Sequence, residues 1–181
     1  MVVGASEGDA IYILFMNADE TVKREQKISD GQAFSIASGT QFGYSCASIG
    51  DLDNDGIGDI AVGAYYDDDG SADAGAIYIL FLNADGTAKS SSKKISSTSG
   101  NGPSLSSSNY FGSSITSIGD FDQDGVQDLA VGALGTASYK GCLWLIFLNS
   151  DGSAKGSQKI SDDQSNFNGV LDSYDYFGIA A

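Results

Sequence analysis

The segment Ile-Tyr-Ile-Leu-Phe-Met-Asn at 11–17 returns 66 residues later as Ile-Tyr-Ile-Leu-Phe-Leu-Asn at 77–83, and after 66 more as Leu-Trp-Leu-Ile-Phe-Leu-Asn at 143–149. Three other landmarks travel with it in the same order. Val-Gly-Ala stands at 3–5, 62–64 and 131–133, Lys-Ile-Ser at 27–29, 94–96 and 159–161, and Phe-Gly at 42–43, 111–112 and 177–178. A chain that repeats at this period is restricted to arrays of one supersecondary unit, each copy burying its apolar surface against the next.

Each unit reads as four short strands. A run of small and apolar residues follows Phe-Gly and ends at Ile49-Gly50 or Ile118-Gly119. An Asp-rich loop leads into a second strand ending in Val-Gly-Ala. The third strand is apolar at nearly every position, as expected when neighbouring sheets pack on both of its faces. A turn such as Asn83-Ala84-Asp85-Gly86 then reverses the chain into a polar fourth strand suited to an outer edge. Twenty-four Gly against one Pro fits many turns and few helices. Four-stranded antiparallel sheets with two apolar faces pack radially, so the expected fold is all-β, with β-propeller blades. A β-solenoid usually repeats at shorter periods and needs no such hairpin turns. The 181 residues supply three blades, at about 1–41, 42–110 and 111–181, and twelve strand segments in permuted order.

The chemistry concentrates in two loops of the form D-x-D-x-D-G-x-x-D. One runs from Asp51 through Asp53, Asp55 and Gly56 to Asp59; the other runs from Asp120 through Asp122, Asp124 and Gly125 to Asp128. Carboxylates at positions 1, 3 and 5 converge as the chain curls, Gly at position 6 permits the bend, and the position 7 carbonyl of Ile57 or Val126 adds a neutral oxygen. Four crowded carboxylates repel unless a cation lies between them. An all-oxygen cage points to Ca²⁺, since Mg²⁺ prefers a tighter octahedron and keeps more water. An EF-hand requires an acidic ligand at position 12, where this chain has Val62 and Val131.

The acidic balance, 24 Asp and Glu against 9 Lys and Arg for a net charge of −15, repels phosphate backbones and anionic membranes, so nucleic acid is not an expected partner. No apolar run approaches the length of a membrane helix, so no membrane insertion is expected. The chain has no histidine, and Cys46 and Cys142 lack metal-site spacing, which argues against zinc and leaves both as small buried residues. No Ser-His-Asp set, phosphate loop or nucleophile elbow is present, so catalysis is not expected.

Phe42-Gly43, the Asp loop and Asp59-Ile60-Ala61-Val62-Gly63-Ala64 together resemble the FG-GAP repeat of integrin α-subunit propellers, over nearly the whole chain. The resemblance implies calcium on Asp51, Asp53, Asp55 and Asp59 with the Ile57 carbonyl, and on Asp120, Asp122, Asp124 and Asp128 with the Val126 carbonyl. It also implies an extracellular or cell-surface setting and a binding or adhesion role toward protein or glycan. The chain departs from the motif where Ser6, Tyr65 and Leu134 replace the proline after Gly-Ala. The alternatives are the propeller portion of a secreted hydrolase or phospholipase-like enzyme, or a structural spacer.

Closed propellers use about 4–8 blades, so the chain is expected to be part of a larger propeller, or to self-associate through open propeller edges. Connections that vary between units mark the candidate partner surface: the loop from Tyr65 to Asp73 and those near Asn101 and Asn166. Asp67, Asp68 and Asp69 read as a solvated acidic tip, with a further cation site as the alternative. Phe42, Phe111 and Phe177 are expected to be buried between sheets in equivalent places.

Overall fold

The three repeats fold as three antiparallel sheets in the computed structural model, which describes residues 1–32, 34–164 and 167–180. The first sheet contains β1 (Val2–Ala5), β2 (Ala10–Met16) and β3 (Val22–Ser29). The second contains β4 (Cys46–Gly50), β5 (Asp59–Ala64), β6 (Ala76–Leu80) and β7 (Lys93–Ile95). The third contains β8 (Phe111–Gly119), β9 (Asp128–Ala133), β10 (Leu143–Leu148) and β11 (Ala154–Ile160). In each sheet the strands pair in sequence order, so every connection is a local reversal. These are blades of a β-propeller. Eleven strands form among the described residues, against the twelve segments expected. At the chain's end Phe177 makes only an isolated parallel bridge to Gly141, matching the bridge between Phe111 and Gly75 one repeat earlier.

The apolar signature segments become β2, β6 and β10. Every residue of β6 is buried, whereas β2 and β10 retain partly exposed positions. The sequence pattern is nearly the same in all three, so the difference comes from neighbours: among the described residues, only the middle sheet is covered on both faces. The core accordingly divides into two layers. One, between the first and second sheets, includes Ile11, Ile28, Phe42, Val62 and Leu80. The other, between the second and third, includes Ile77, Phe81, Phe111, Val131 and Ile146. Each large side chain sealed into such a layer contributes about 1.5–3 kcal/mol.

The repeated motifs explain how adjacent sheets register. Gly63, on β5, lies against the backbone of Gly112 in the next sheet, where a Cβ would stand 2.1 Å from the Gly112 carbonyl oxygen. The same carbonyl accepts a hydrogen bond from Ser45 Oγ at 2.8 Å. Gly112 has φ near +90°, a conformation that side chains disfavour. Gly4 meets Gly43 and Gly132 meets Gly178 in the same way. Beside these contacts Phe42 and Phe111 are fully buried, as expected. Phe177 is only half-buried, which corrects the expected equivalence: no further sheet covers it among the described residues.

Cys142 is buried and Cys46 half-buried; both are free thiols. Burial pushes the Cys46 thiol up to about 11, which keeps it protonated. No helix among the described residues is long and apolar enough to cross a membrane.

Candidate functional site

Both Asp loops join the first and second strands of a blade, β4 to β5 and β8 to β9, and both curl through the same hydrogen bonds. Asp51 accepts from the amides of Asp55 at 2.9 Å and Gly56 at 2.8 Å. Asp120 accepts from Asp124 at 2.9 Å and Gly125 at 2.8 Å. Asp55 caps the Ile57 amide and Asp124 caps that of Val126. The turn also places Asn54 and Gln123 at positive φ, 59° and 63°. Thus position 1 folds the loop, position 5 fixes the following turn, and the carbonyl-bearing residues Ile57 and Val126 are held there.

Position 9 reaches further. Asp59 is fully buried and accepts from Leu52 at 2.9 Å and, across the sheet, from Leu82 at 3.0 Å. Asp128 repeats this with Phe121 at 2.9 Å and Leu148 at 3.0 Å. Burial raises the Asp59 carboxyl above its usual range, partly offset by the two amide hydrogen bonds. These carboxylates tie each loop to the end of the central strand.

In the middle blade, oxygens of Asp51, Asp53 and Asp59 lie within 4.8 Å of one another; in the last blade the cluster is Asp120, Asp122 and Asp124. Asp55 and Asp128, expected in the cages, stand outside these clusters. Asp53 Oδ1 is buried without a hydrogen-bond partner. An unpaired buried carboxylate oxygen beside two further carboxylates is costly by itself and well placed to receive a hard cation. The donor set therefore fits a metal bound through oxygen.

Two lysines not singled out in the sequence enter the loops. Lys89 Nζ lies 2.5 Å from both Asp53 Oδ2 and Asp55 Oδ2. Lys155 Nζ lies 2.6 Å from Asp122 Oδ2 and also contacts Asp124 Oδ2. These contacts hold Asp55 and Asp124 below the usual carboxylate range, with the Ile57 and Val126 amides adding to the effect, and raise both lysines. The residue pattern Asp-Gly-Thr-Ala-Lys at 85–89 and Asp-Gly-Ser-Ala-Lys at 151–155 is the signal that marks them.

At the other end of β5 and β9 the structure assembles a tyrosine array. Tyr44, Tyr65, Tyr66, Tyr110, Tyr139, Tyr174 and Tyr176 form a chain of ring contacts spanning 4.2 to 6.2 Å between centroids. Tyr44, Tyr66 and Tyr174 are exposed. The Tyr-Phe-Gly triplets at 110–112 and 176–178 were its sequence signal. Part of the expected partner surface, the loop from Tyr65, adjoins this array; Asn166 lies outside the described residues.

The acidic tip is a correction. Asp67 is fully buried, 2.7 Å from Lys94 Nζ, and accepts from the Tyr78 hydroxyl at 3.2 Å. Asp69 accepts from Ser96 and Thr98 hydroxyls and pairs with Lys94 at 3.2 Å. Lys94 of the outer strand, the Ser96 and Thr98 hydroxyls just beyond it and the Tyr78 hydroxyl of the central strand thus draw two of the three carboxylates inward, and the segment serves as an internal tie.

The FG-GAP repeat family model matches residues 42–80 and 111–141, the stretches that contain both Asp loops and the Gly63–Gly112 contact described above. The chain carries FG-GAP repeats. These repeats are similar to those of integrin alpha-3 from Cricetulus griseus, 39% identical over 125 residues, covering 68% of this chain and 11% of that protein. Integrin alpha-PS5 from Drosophila melanogaster is 33% identical over 126 residues, covering 70% of this chain and 12% of the relative. Integrin alpha-5 from Xenopus laevis is 39% identical over 104 residues, covering 56% and 9%. The FG-GAP chain therefore spans only about a tenth of the length of these integrin-α-like relatives.

Proposed function

We propose that the chain is a calcium-stabilised, non-catalytic propeller scaffold that works outside the cell and binds a protein or glycan partner. The proposed repeat units are 1–41, 42–110 and 111–181. The observation that carries the reading is the duplicated Asp loop, in which crowded carboxylates are gathered in both blades, with the buried, unpaired Asp53 Oδ1 in the middle one. Asp51, Asp53, Asp55 and Asp59 with the Ile57 carbonyl form the first site; Asp120, Asp122, Asp124 and Asp128 with the Val126 carbonyl form the second. Calcium suits an oxygen-only donor set of this size and supplies charge neutralisation. The protein's own residues do the rest: Asp59 and Asp128 lock the loops to the blades, and the blades hold the tyrosine array at the opposite end. Tyrosine combines apolar area with a hydroxyl and suits recognition surfaces. The extracellular setting rests on the likeness to integrin alpha subunits.

Calorimetric titration with calcium chloride tests this reading. Two ions should bind per chain, Asp53→Ala and Asp122→Ala should each abolish one, and free calcium at a hundredfold excess over Kd should stabilise the fold by about 2.7 kcal/mol per site. Absence of uptake, or uptake unchanged in both variants, rejects it.

A further inference from the structure

Each Asp loop already receives a positive charge from within the chain. Lys89 and Lys155 follow the turns between the third and fourth strands of their blades, and those turns are braced alike. Asp85 Oδ1 accepts from the Thr87 amide at 3.0 Å and hydroxyl at 2.7 Å. Asp151 Oδ1 accepts from the Ser153 amide at 2.9 Å and hydroxyl at 2.6 Å. The lysine two residues beyond is therefore launched from a fixed point, and in both blades its ammonium arrives at the carboxylates of positions 3 and 5. The same contact is made at the equivalent place in both repeats that carry an Asp loop, which argues against a chance surface pairing.

We propose that Lys89 and Lys155 are tethered counter-cations that compete with the divalent ion, each setting the affinity of its own loop. The inference rests on the metal reading above and adds the residues that tune it. Nζ of Lys89 takes the Oδ2 atoms of Asp53 and Asp55, the two residues that positions 3 and 5 would offer to an ion, and leaves Asp53 Oδ1 without a partner. An ammonium and a divalent cation within a few ångströms repel strongly, more so where the site is partly withdrawn from water. The four-carbon lysine stem gives the ammonium a route out to solvent when metal enters. With the ion absent, the same ammonium offsets carboxylate repulsion and keeps the loop curled.

The test uses the full chain, with Lys89→Met, Lys155→Met and the double variant, titrated calorimetrically with calcium chloride at fixed ionic strength. Each single substitution should tighten one of the two sites about tenfold and leave the other unchanged, while lowering the melting temperature of the metal-free protein. Lys89→Arg, which keeps the charge, should stay near the parent affinity. Lys89→Gln serves as a polar replacement should Met disturb folding, with circular dichroism reporting the fold. Unchanged affinity in variants that fold and take up two ions overturns the competition while leaving the metal reading intact. Weaker binding overturns it in favour of lysines that support the ion from outside. Uptake by none of the proteins rejects the metal reading and the competition together.

Discussion

The middle and last blades carry nearly the same sequence pattern in different company. Their Asp loops make the same amide-to-carboxylate bonds and receive a lysine in the same way. Their flanks diverge: Leu52, at position 2 of the middle loop, is 4% exposed, whereas Phe121, at position 2 of the last, is 59% exposed. The apolar third strand shows the same contrast, buried throughout in β6 and partly open in β10. Loop shape is thus written within a dozen residues, while burial is conferred by the neighbouring sheet.

The sharpest test of that division is at the Phe-Gly positions. Phe111→Ala, in the layer between two sheets, should cost about 3–5 kcal/mol, and Phe177→Ala, with one sheet beside it, less than half as much. Chemical denaturation of the two variants measures both. Equal losses would mean that Phe177 is as well covered as Phe111 and would remove the contrast. The loop flanks should follow with a smaller difference. Leu52→Ala should lose about 2–4 kcal/mol, whereas Phe121→Ala should change stability by less than about 0.5 kcal/mol. A large loss at Phe121 would show that its ring is covered in solution.

The smallest expected effect concerns two carboxylates that the blades treat alike. Hydroxyls of Ser96 and Thr98, with Lys94, hold Asp69 down to about 2, and the Ser161 hydroxyl with Lys159 holds Asp163 down to about 2. Because the folded values lie below the usual carboxylate value, the stability they contribute is present above about pH 4 and is lost as pH falls toward 2. Carboxyl resonances followed by NMR should show both low midpoints. Asp69→Asn should flatten more of the acid-side loss of stability than Asp163→Asn, because the Asp163 side chain is 59% exposed and solvent screens its pairing. Ordinary midpoints near 4 would show that neither carboxylate is tied to its hydroxyl partners in solution.

Much of this organisation was legible because it is local and repeated. The four landmarks fixed blade count and strand order, and the Asp spacing marked the candidate loops. What escaped depends on distant partners. Lys89 lies 36 residues from Asp53, and Lys155 lies 31 from Asp124, so no short window couples them. Asp67-Asp68-Asp69-Gly70 reads as a loop tip in isolation, since only the folded sheet brings Lys94 and Tyr78 to Asp67. The tyrosine array likewise gathers rings from separate repeats. Half-burial of Phe177 depends on what stands beyond the third sheet, which the Phe-Gly motif itself does not state.

The close approach of Gly63 to Gly112 bears on how such a molecule can grow. A repeat holds both halves of the joint: a projecting carbonyl on its Phe-Gly turn and a bare α-carbon on its Val-Gly-Ala strand. At this joint what meets is main chain, which is the same in every copy, while side chains such as Phe111 and Val131 fill the layer beside it. The closest approach of neighbouring blades is thereby set at a point without side chains, and loops at either end are free to diverge around it.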